Sequence, residues 1–534
     1  MTKDTFGKVM VLLSVGVVLM TTSQSSGGSL QAPPGMFKDL NDEILGDAII
    51  VRSKQLFIDD YIIEEIKGAE KILNQPTKHP KNPLLVHDQP WEKVGGGANG
   101  NVMYDEQEKI FKMWYVVWLP DSSKNDSQIG GFGYAISKDG INWEKPAIND
   151  DGTSAVMVPK DKGIYAALTV FKDPVETDPQ RRYKLFYSGM ADGTDRSLAT
   201  SVGYSPDGIR FTTEAKNPVI PYSDTQPNCY WDPLSKRYVA YLRYGPPNTR
   251  AISRIESEDF VHWSPKVTVF PHVKDKIDLP RSTKLYGMRI MPYEGVSIGI
   301  ITAYHGETIQ PIPKEQEAWM DKIDLQLAFS RNGLTWSRVG KHGTLDFSKD
   351  EDWEKVVQEA TFMPYGKHKV DWDWGQTYVF QKPLIVGDEI WIYYTGLANR
   401  HWASYHGDTI KSGIGMAKLR LDGWISIDTE NEGTMTTKPL VFIGDALEIN
   451  ANAAAGSIAV EAIGTDGKVI EGFSKNDCQA ITSDSIRHIL KWKGSEDCQL
   501  IQARPIKLRF YLKKAKLYSF TPRIKHKHYI PSYD

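Results

Sequence analysis

A short acidic and aromatic segment near residue 373 has the composition of an acid–base or sugar-binding site. Asp373 stands between the indoles of Trp372 and Trp374, followed by Gly375 and then by the strand-like run that begins at Gln376. A partly desolvated carboxylate has a raised pKa and suits a general acid, and indole faces stack on apolar ring faces. We therefore predict Asp373 as a catalytic residue, with Trp372, Trp374 and Gln376 around the ligand. The alternative is a capped loop in which Asp373 is structural.

Other carboxylates stand where a strand begins or ends. Asp59 and Asp60 lie between the apolar runs Phe57-Ile58 and Tyr61-Ile62-Ile63, and Asp224 opens Asp224-Thr-Gln226. Paired carboxylates can share the acid, base and orienting roles. We predict that Asp373, Asp224 and either Asp59 or Asp60 do so, although each can equally be a turn residue.

Histidines and arginines near strand ends add a different chemistry. His305 follows an apolar strand in Tyr304-His-Gly306 and is a candidate catalytic histidine, because imidazole titrates near neutral pH. Arginine favours anionic ligands. The predicted ligand-binding residues of this kind, with one further indole, are Arg243, Arg281, His401 and Trp402. Polar surface or a salt bridge between repeats is the alternative.

These residues are distributed over a repeat of about five copies. Each copy has a hairpin turn, an aromatic strand, a polar gap, and a second strand ending in a turn and an aromatic residue. The aromatic strands are Phe111 to Tyr115, Tyr183 to Tyr187, Tyr238 to Tyr241, Ile298 to Tyr304 and Ile390 to Tyr394. Such units predict four-stranded antiparallel sheets arranged radially. After Trp424 the alternation becomes that of a two-layer sandwich.

The predicted fold is therefore all-β, a five-bladed β-propeller followed by a C-terminal β-sandwich. The predicted segments are a signal peptide at residues 1–25, the propeller with its lead-in strand at 45–424, the sandwich at 425–520 and a basic tail at 521–534. Lys3 and Lys8 flank the start of the apolar run Val9 to Met20, which small and polar residues follow. This order is typical of a secretory signal, so we expect an exported protein, periplasmic or secreted, without a membrane anchor.

The composition bears on whether the protein binds nucleic acid, a metal or a cofactor. The 534 residues carry a formal net charge of −3, which does not favour a nucleic-acid partner. The three cysteines, Cys229, Cys478 and Cys498, have no zinc-binding spacing, and no calcium-ligand spacing is present. We predict no metal and no cofactor. Cys478 and Cys498 either pair or remain isolated core thiols, and the oligomeric state is left open.

The chain resembles glycoside hydrolase families 32 and 43, and more closely the bacterial propeller proteins that are named after family 32. The resemblance is carried by Gln55 to Tyr61, Phe111 to Tyr115, Arg182 to Tyr187, Gly387 to Tyr394 and Leu508 to Phe520. It implies a propeller with a C-terminal sandwich and an early aspartate near the first blade. The families' Trp-Met-Asn-Asp-Pro segment and third-blade Glu-Cys pair are missing, and Phe171-Lys-Asp-Pro174 has lysine where family 32 has arginine.

Three functional hypotheses follow. The first is an exo-acting glycoside hydrolase on oligosaccharides, acidic ones included. The second is a β-eliminating lyase or dehydratase on uronic-acid-containing oligosaccharides, which histidine, tyrosine, arginine and lysine at the channel mouth fit better than a carboxylate pair does. The third is a non-catalytic glycan-binding propeller, for which aromatic side chains would suffice.

Overall fold

The regular secondary structure of the described residues is almost entirely β-strand. The structure is a computed structural model. It describes residues 44–45, 47–92, 96–120, 128–156, 164–190, 198–221, 223, 226–243, 250–270, 283–305, 312, 314, 317–345, 359–401 and 411–524. Two single turns of 3-10 helix, Pro90–Glu92 and Pro179–Arg181, interrupt the strands.

The first three blades are four-stranded antiparallel sheets, numbered from the inner strand outwards. Blade 1 consists of Gly96–Asp105, Ile110–Pro120, Gln128–Ser137 and Ala155–Val156. Blade 2 consists of Ile164–Lys172, Tyr183–Met190, Leu198–Ser205 and Thr212–Thr213. Blade 3 consists of Asn228–Asp232, Arg237–Arg243, Ile252–Ser257 and Val267–Phe270.

The last two blades complete the ring. Blade 4 consists of Thr283–Tyr293, Val296–His305 and Lys322–Ser330, with an outer layer of Ser337–Gly340, Gly343–Thr344 and Thr361–Met363. Blade 5 has an inner strand in two pieces, Gln376–Val379 and Leu384–Val386, then Glu389–Leu397 and Ser412–Arg420. Its outermost strands, Thr77–Lys78 and Leu85–Val86, come from before blade 1. The five-bladed propeller is thus closed by its own N-terminal segment.

A shared turn explains the rhythm of the repeats. In blades 1, 2 and 4 a serine ends the third strand, and its Oγ accepts a hydrogen bond from the backbone N of a glycine three residues later. That glycine has φ between 70° and 80°, a region open to glycine because it lacks Cβ. An aspartate or asparagine inside the turn accepts from the following backbone amides. The serine and glycine pairs are Ser137 and Gly140, Ser205 and Gly208, and Ser330 and Gly333.

The second region is a β-sandwich built around one long strand. Ile506–Arg523 pairs with strands on both of its edges. The other C-terminal strands are Ile425–Thr437, Leu440–Phe442, Ala446–Asn452, Ser457–Gly464 and Asp484–Ile489. Its N-terminal strands are Ile44–Leu45, Ala48–Val51, Gln55–Leu56, Ile63–Lys67 and Glu70–Leu73.

The boundaries of the sandwich differ from those predicted. The lead-in segment assigned to a propeller beginning at residue 45 pairs with the sandwich instead: Ile49 lies opposite Leu440, and Leu73 opposite Ile425. Its apolar side chains are covered there by the C-terminal strands. The last strand continues to Arg523, beyond the predicted boundary at residue 520.

One apolar core spans the boundary between propeller and sandwich. Trp424, 1% exposed, lies in the same buried cluster as Leu325 of blade 4 and Leu447 of the sandwich. A hydrogen bond of 2.5 Å from Tyr293 Oη to Asp422 Oδ1 crosses the same boundary. The sandwich therefore covers an apolar face of the propeller.

The described residues contain no disulfide bond, no candidate membrane-spanning helix and no cluster of metal ligands. Cys229, Cys478 and Cys498 are separate buried thiols. In the described part of the chain no helix is long and apolar enough to cross a membrane, and no group of three potential metal ligands comes together.

Candidate functional site

The five inner strands surround a channel that is crossed by a network of polar side chains. Arg289 Nη2 donates to Asn99 Oδ1 at 2.7 Å, and Nη1 donates to the carbonyl of the residue before Asn228 at the same distance. Asn228 donates to Gln381, which in turn donates to Thr169. Each of these five side chains comes from, or directly follows, a different inner strand. The network joins all five blades and carries a positive charge at its centre.

Burial sets the electrostatics of that network. Arg289 is 0% exposed, and burial lowers the pKa of its guanidinium to about 9. Its described hydrogen-bond acceptors are carbonyl and amide oxygens rather than carboxylates. A buried cation without a counter-ion is costly unless a nearby negative charge offsets it. Among the described residues, the charge of Arg289 is therefore not balanced by a carboxylate.

Tyr286 occupies a β-bulge where the inner strand of blade 4 begins. Leu285 pairs with Ala303 and Gly287 pairs with Thr302, which leaves Tyr286 as the extra residue. A bulge redirects the side chain of the extra residue. The inner strands of blades 1 and 2 also shift register near their starts. We use the name mouth for the end of the channel at which these inner strands begin.

A tyrosine–histidine pair lies at the mouth. Tyr286 Oη is 2.5 Å from His401 Nε2, and the His401 ring lies 4.6 Å from the ring of Tyr304. Burial, with the positive charges of Arg250, Arg243 and Lys284, lowers the pKa of His401 to about 3. The imidazole is therefore neutral near pH 7. A neutral imidazole beside a phenol can take or relay a proton.

Cations from two blades surround this pair. The guanidinium carbons of Arg243 and Arg250 each lie 4.6 Å from the ring centroid of Tyr286, and Arg250 also lies 5.9 Å from the ring of Tyr304. Lys284 begins the same strand as Tyr286. Among the described residues Arg250 forms no ion pair. Guanidinium groups of this kind bind carboxylate or sulfate oxygens.

Blades 5 and 4 together supply the polar wall of the mouth. Gln376 is 1% exposed, accepts a hydrogen bond of 2.7 Å from Tyr378 Oη, and donates to the carbonyl of Asn399. Tyr304 Oη donates to Asp321 Oδ1 at 3.0 Å, and the backbone amide of His401 donates to the carbonyl of Asp321. Asp321 is thus a buried carboxylate beside the mouth.

The structure places Asp373 away from the mouth, contrary to the sequence prediction. Asp373 Oδ2 accepts from Lys78 Nζ at 2.6 Å and from Tyr394 Oη at 2.9 Å, and the residue is 2% exposed. Lys78 belongs to the outermost strand of blade 5. The carboxylate therefore points outwards and anchors the strand that closes the ring.

Asp59 and Asp60 also lie far from the mouth. Asp59 accepts two hydrogen bonds from the guanidinium of Arg331, at 2.6 and 3.0 Å. Arg331 follows the nine-residue strand Lys322–Ser330 of blade 4, whose first residues adjoin the mouth, so Asp59 lies roughly 25–30 Å away at about 3.3 Å per residue. The side chain of Asp60 is 75% exposed and pairs with Lys71. Both carboxylates fasten the lead-in segment.

Three further predicted residues have other positions. His305 is 0% exposed, and its Nε2 lies 2.7 Å from Asp324 Oδ1; this pair is enclosed within blade 4. Trp372 stacks on Tyr394 with ring centroids 5.5 Å apart, behind the mouth. Trp374 is buried between blades 4 and 5, beside Lys322 and Arg400.

Of the predicted site residues, Arg243, His401 and Gln376 come together at the mouth. Asp224, Arg281 and Trp402 lie outside the described residues. Tyr286, Tyr304 and Arg250 were not among the predicted site residues. The strand start Lys284-Leu-Tyr286 carried a usable signal, because alternation places Lys284 and Tyr286 on one face, but the bulge cannot be read from residue types.

The comparison with solved structures finds distant matches that cover about two thirds of this chain or more. No protein-family model matches, and no curated protein matches. Among solved structures, β-1,2-mannobiose phosphorylase from Listeria innocua is 11% identical, with a TM-score of 0.42 over 65% of this chain and 96% of that one. A family 43 arabinoxylan arabinofuranohydrolase from Bacillus subtilis is 11% identical, with a TM-score of 0.37 over 84% and 99%. An N-acetylgalactosamine deacetylase from F. plautii is 12% identical, with a TM-score of 0.41 over 66% and 96%.

Proposed function

We propose that the protein is a carbohydrate-active enzyme that acts on a sugar bearing a carboxylate, and that its reaction is β-elimination. The carrying observation is the Tyr286–His401 pair, 2.5 Å apart, with Arg243 and Arg250 each 4.6 Å from the tyrosine ring. Tyrosine rings suit the apolar face of a sugar. The guanidinium groups suit its carboxylate.

The proposed chemistry needs a base and a cation at neighbouring positions. Tyr286 would pass its phenolic proton to the neutral imidazole of His401 as it removes the proton from the carbon next to the carboxylate. Arg243 and Arg250 would stabilise the enolate-like charge that develops there. The carbon–oxygen bond on the adjacent carbon then breaks, a carbon–carbon double bond forms, and the leaving oxygen takes up the proton.

Hydrolysis is the second candidate, because a buried carboxylate adjoins the mouth. Asp321 accepts a hydrogen bond from Tyr304, whose ring packs against His401. A carboxylate there could act as a general acid in glycoside hydrolysis. If the reaction is hydrolysis, we propose that the enzyme cleaves from the end of the oligosaccharide. If no product forms from any oligosaccharide, the propeller is a non-catalytic glycan-binding protein.

The proposal is tested by binding to matched oligosaccharides. Calorimetric titration compares a uronate oligosaccharide with the same compound after reduction of its carboxylates to alcohols. We expect the charged compound to bind at least ~tenfold more tightly, and Arg250→Met to remove that preference. Equal affinity for both compounds would contradict an anionic substrate.

Export remains a prediction from residues 1–25, which lie outside the described residues. The charged, apolar and small-residue order of that segment supports it. N-terminal sequencing of protein recovered from the periplasm or the medium tests it. A chain that stays in the cytoplasm with its N-terminus uncleaved would exclude it.

A further inference from the structure

A second group of polar side chains is buried between blades 4 and 5. Lys322 begins the third strand of blade 4 and is 2% exposed. Its Nζ lies 4.9 Å from the ring of Tyr365 and 5.4 Å from the ring of Trp374. Within the described part of the chain Lys322 has neither a hydrogen-bond acceptor nor an ion-pair partner. A buried ammonium that rests only on ring faces is an incomplete arrangement.

Two neighbours of Lys322, Tyr365 and His368, also have polar atoms that lack a hydrogen-bond partner among the described residues. Tyr365 Oη and both ring nitrogens of His368 are buried and find no partner among the described residues. His368 packs edge-on against Trp374 at 4.5 Å. The guanidinium of Arg400 lies 5.8 Å from the same indole. Burial and the nearby charge of Arg400 lower the pKa of Lys322 to about 8, so the ammonium is still mostly charged at pH 7.

Charged residues of both signs lie near Lys322. Arg400 donates from its side chain to the backbone carbonyls of Glu317 and Met320, and the exposed Glu317 is the carboxylate that acts on Lys322. Two buried carboxylates also lie near the group, and both have partners of their own. Asp324, whose charge acts on Tyr365, is hydrogen-bonded to His305 and Thr361, and Asp321, whose charge acts on Arg400, accepts from Tyr304. An oxyanion with several acceptor oxygens would satisfy the ammonium, the phenol and the imidazole at once.

The group adjoins the mouth along two elements. Lys322 precedes Ile323, which packs in one cluster with Tyr286 and Tyr304, and Arg400 precedes His401. We propose that Lys322, Tyr365, His368 and Arg400, with Trp374 as an aromatic wall, form a second anion-binding site. It would hold a carboxylate or sulfate on the sugar next to the one at the mouth. This inference rests on the proposed function, since it extends the same substrate by one charged unit.

Tryptophan fluorescence with small anions tests the site directly. Sulfate and acetate are titrated separately into the protein, with chloride keeping the ionic strength constant. We expect a saturable change with at least one of them, weakened at least ~tenfold in Lys322→Met. A response to sulfate alone assigns a sulfate ester, and a response to acetate assigns a carboxylate. The absence of a saturable change in the parent protein, or an unchanged one in Lys322→Met, overturns the proposal.

Two control variants test whether anion binding is specific to the site around Lys322. Lys418 also lies over an indole, 4.7 Å from Trp391, but it pairs with Glu389 at 2.8 Å, so Lys418→Met should leave anion binding unchanged. Tyr286→Phe should also leave anion binding unchanged while lowering turnover at least ~100-fold. Saturable anion binding in a parent protein that shows no turnover would remove the proposed function and leave this site standing, and turnover without saturable anion binding would do the reverse.

Thermal unfolding gives a second readout that does not depend on fluorescence. Because the ammonium is buried without an anion, Lys322→Met should unfold in chloride at the same or a higher temperature than the parent. Sulfate should raise the unfolding temperature of the parent and not that of the variant. A lower unfolding temperature for the variant, with no effect of sulfate on either protein, would make Lys322 a structural residue and overturn the proposal.

Discussion

Tyr286 Oη and His401 Nε2 lie 2.5 Å apart although 115 positions separate them in the chain. Tyr286 comes from the inner strand of blade 4, and His401 from the loop after the second strand of blade 5. Their contact bridges two blades at the mouth. Burial, together with the cations around the pair, lowers the pKa of His401 and keeps the imidazole neutral, and the same cations leave positive charge beside the phenol.

Tyr286→Phe removes the phenolic oxygen and keeps the ring. We expect turnover to fall at least ~100-fold, the low end for lost acid–base catalysis, with little change in unfolding temperature. Steady-state kinetics and a thermal melt on the same preparation check this. The control is Tyr393→Phe, since Tyr393 Oη donates only to the carbonyl of Gly140 at 2.7 Å; it should lower stability and spare turnover.

Full activity in Tyr286→Phe would remove the tyrosine from the mechanism. In that case the hydrolytic alternative at Asp321 would gain weight. The two variants must be compared per folded molecule, because both tyrosines are buried.

The low pKa of His401 makes stability depend on pH. The folded-state pKa of about 3 lies below the ordinary value of 6.5, so the unfolded chain binds more protons between these values. Stability is therefore lost as the pH falls from about 6.5 towards 3, by up to ~1.4 kcal/mol per pH unit. Urea unfolding at pH 7, 5.5 and 4.5 should show the difference between the parent and His401→Asn shrinking or reversing on acidification.

Other groups also titrate in this pH range, but they contribute equally to the stability of the parent and of His401→Asn, so their effect cancels in the difference. Burial also lowers the pKa of His87 to about 4, and His87 is present in both proteins. Parallel stability curves for parent and variant would show that His401 titrates normally.

Asp373→Asn should act on stability rather than on catalysis. The substitution leaves Lys78 without its carboxylate in a largely buried pair, so we expect the free energy of unfolding to fall by about 2–4 kcal/mol, with turnover per folded molecule nearly unchanged. Chemical denaturation and kinetics measure the two effects. Asp371→Asn, at an exposed position two residues earlier, is the matched control and should change neither. Turnover reduced 100-fold at unchanged stability would restore Asp373 as a catalytic acid.

The repeat pattern predicted five blades because each turn and strand is a local feature of the sequence. The position of Asp373 could not be predicted in this way, since its partner Lys78 lies 295 positions away and reaches it only when the ring closes. Arg243 and His401 were found because an arginine at a strand end and a histidine in the gap that follows a strand are visible in the sequence. Tyr286 and Arg250 were missed because a bulge and a loop return bring them to the mouth.

Deletion of the sandwich should expose an apolar face. Residues 425–524 supply Leu447 and Phe510 to the same core as Leu325 of blade 4, and the lead-in strands would lose their partners as well. We expect a chain ending at residue 424 to be insoluble or aggregated. Size-exclusion chromatography checks this. A soluble, fully active propeller would show that the sandwich is an independent accessory domain.

Product analysis tests the central claim, elimination at the mouth, most directly. The protein is incubated with a panel of uronate and neutral oligosaccharides, and products are examined by mass spectrometry and by ultraviolet absorbance. We predict products only from the uronates, with no water gained and with the absorbance of a double bond conjugated to the carboxylate. Products that have gained water at the cleaved bond and show no such absorbance would mean hydrolysis and would contradict the proposed mechanism.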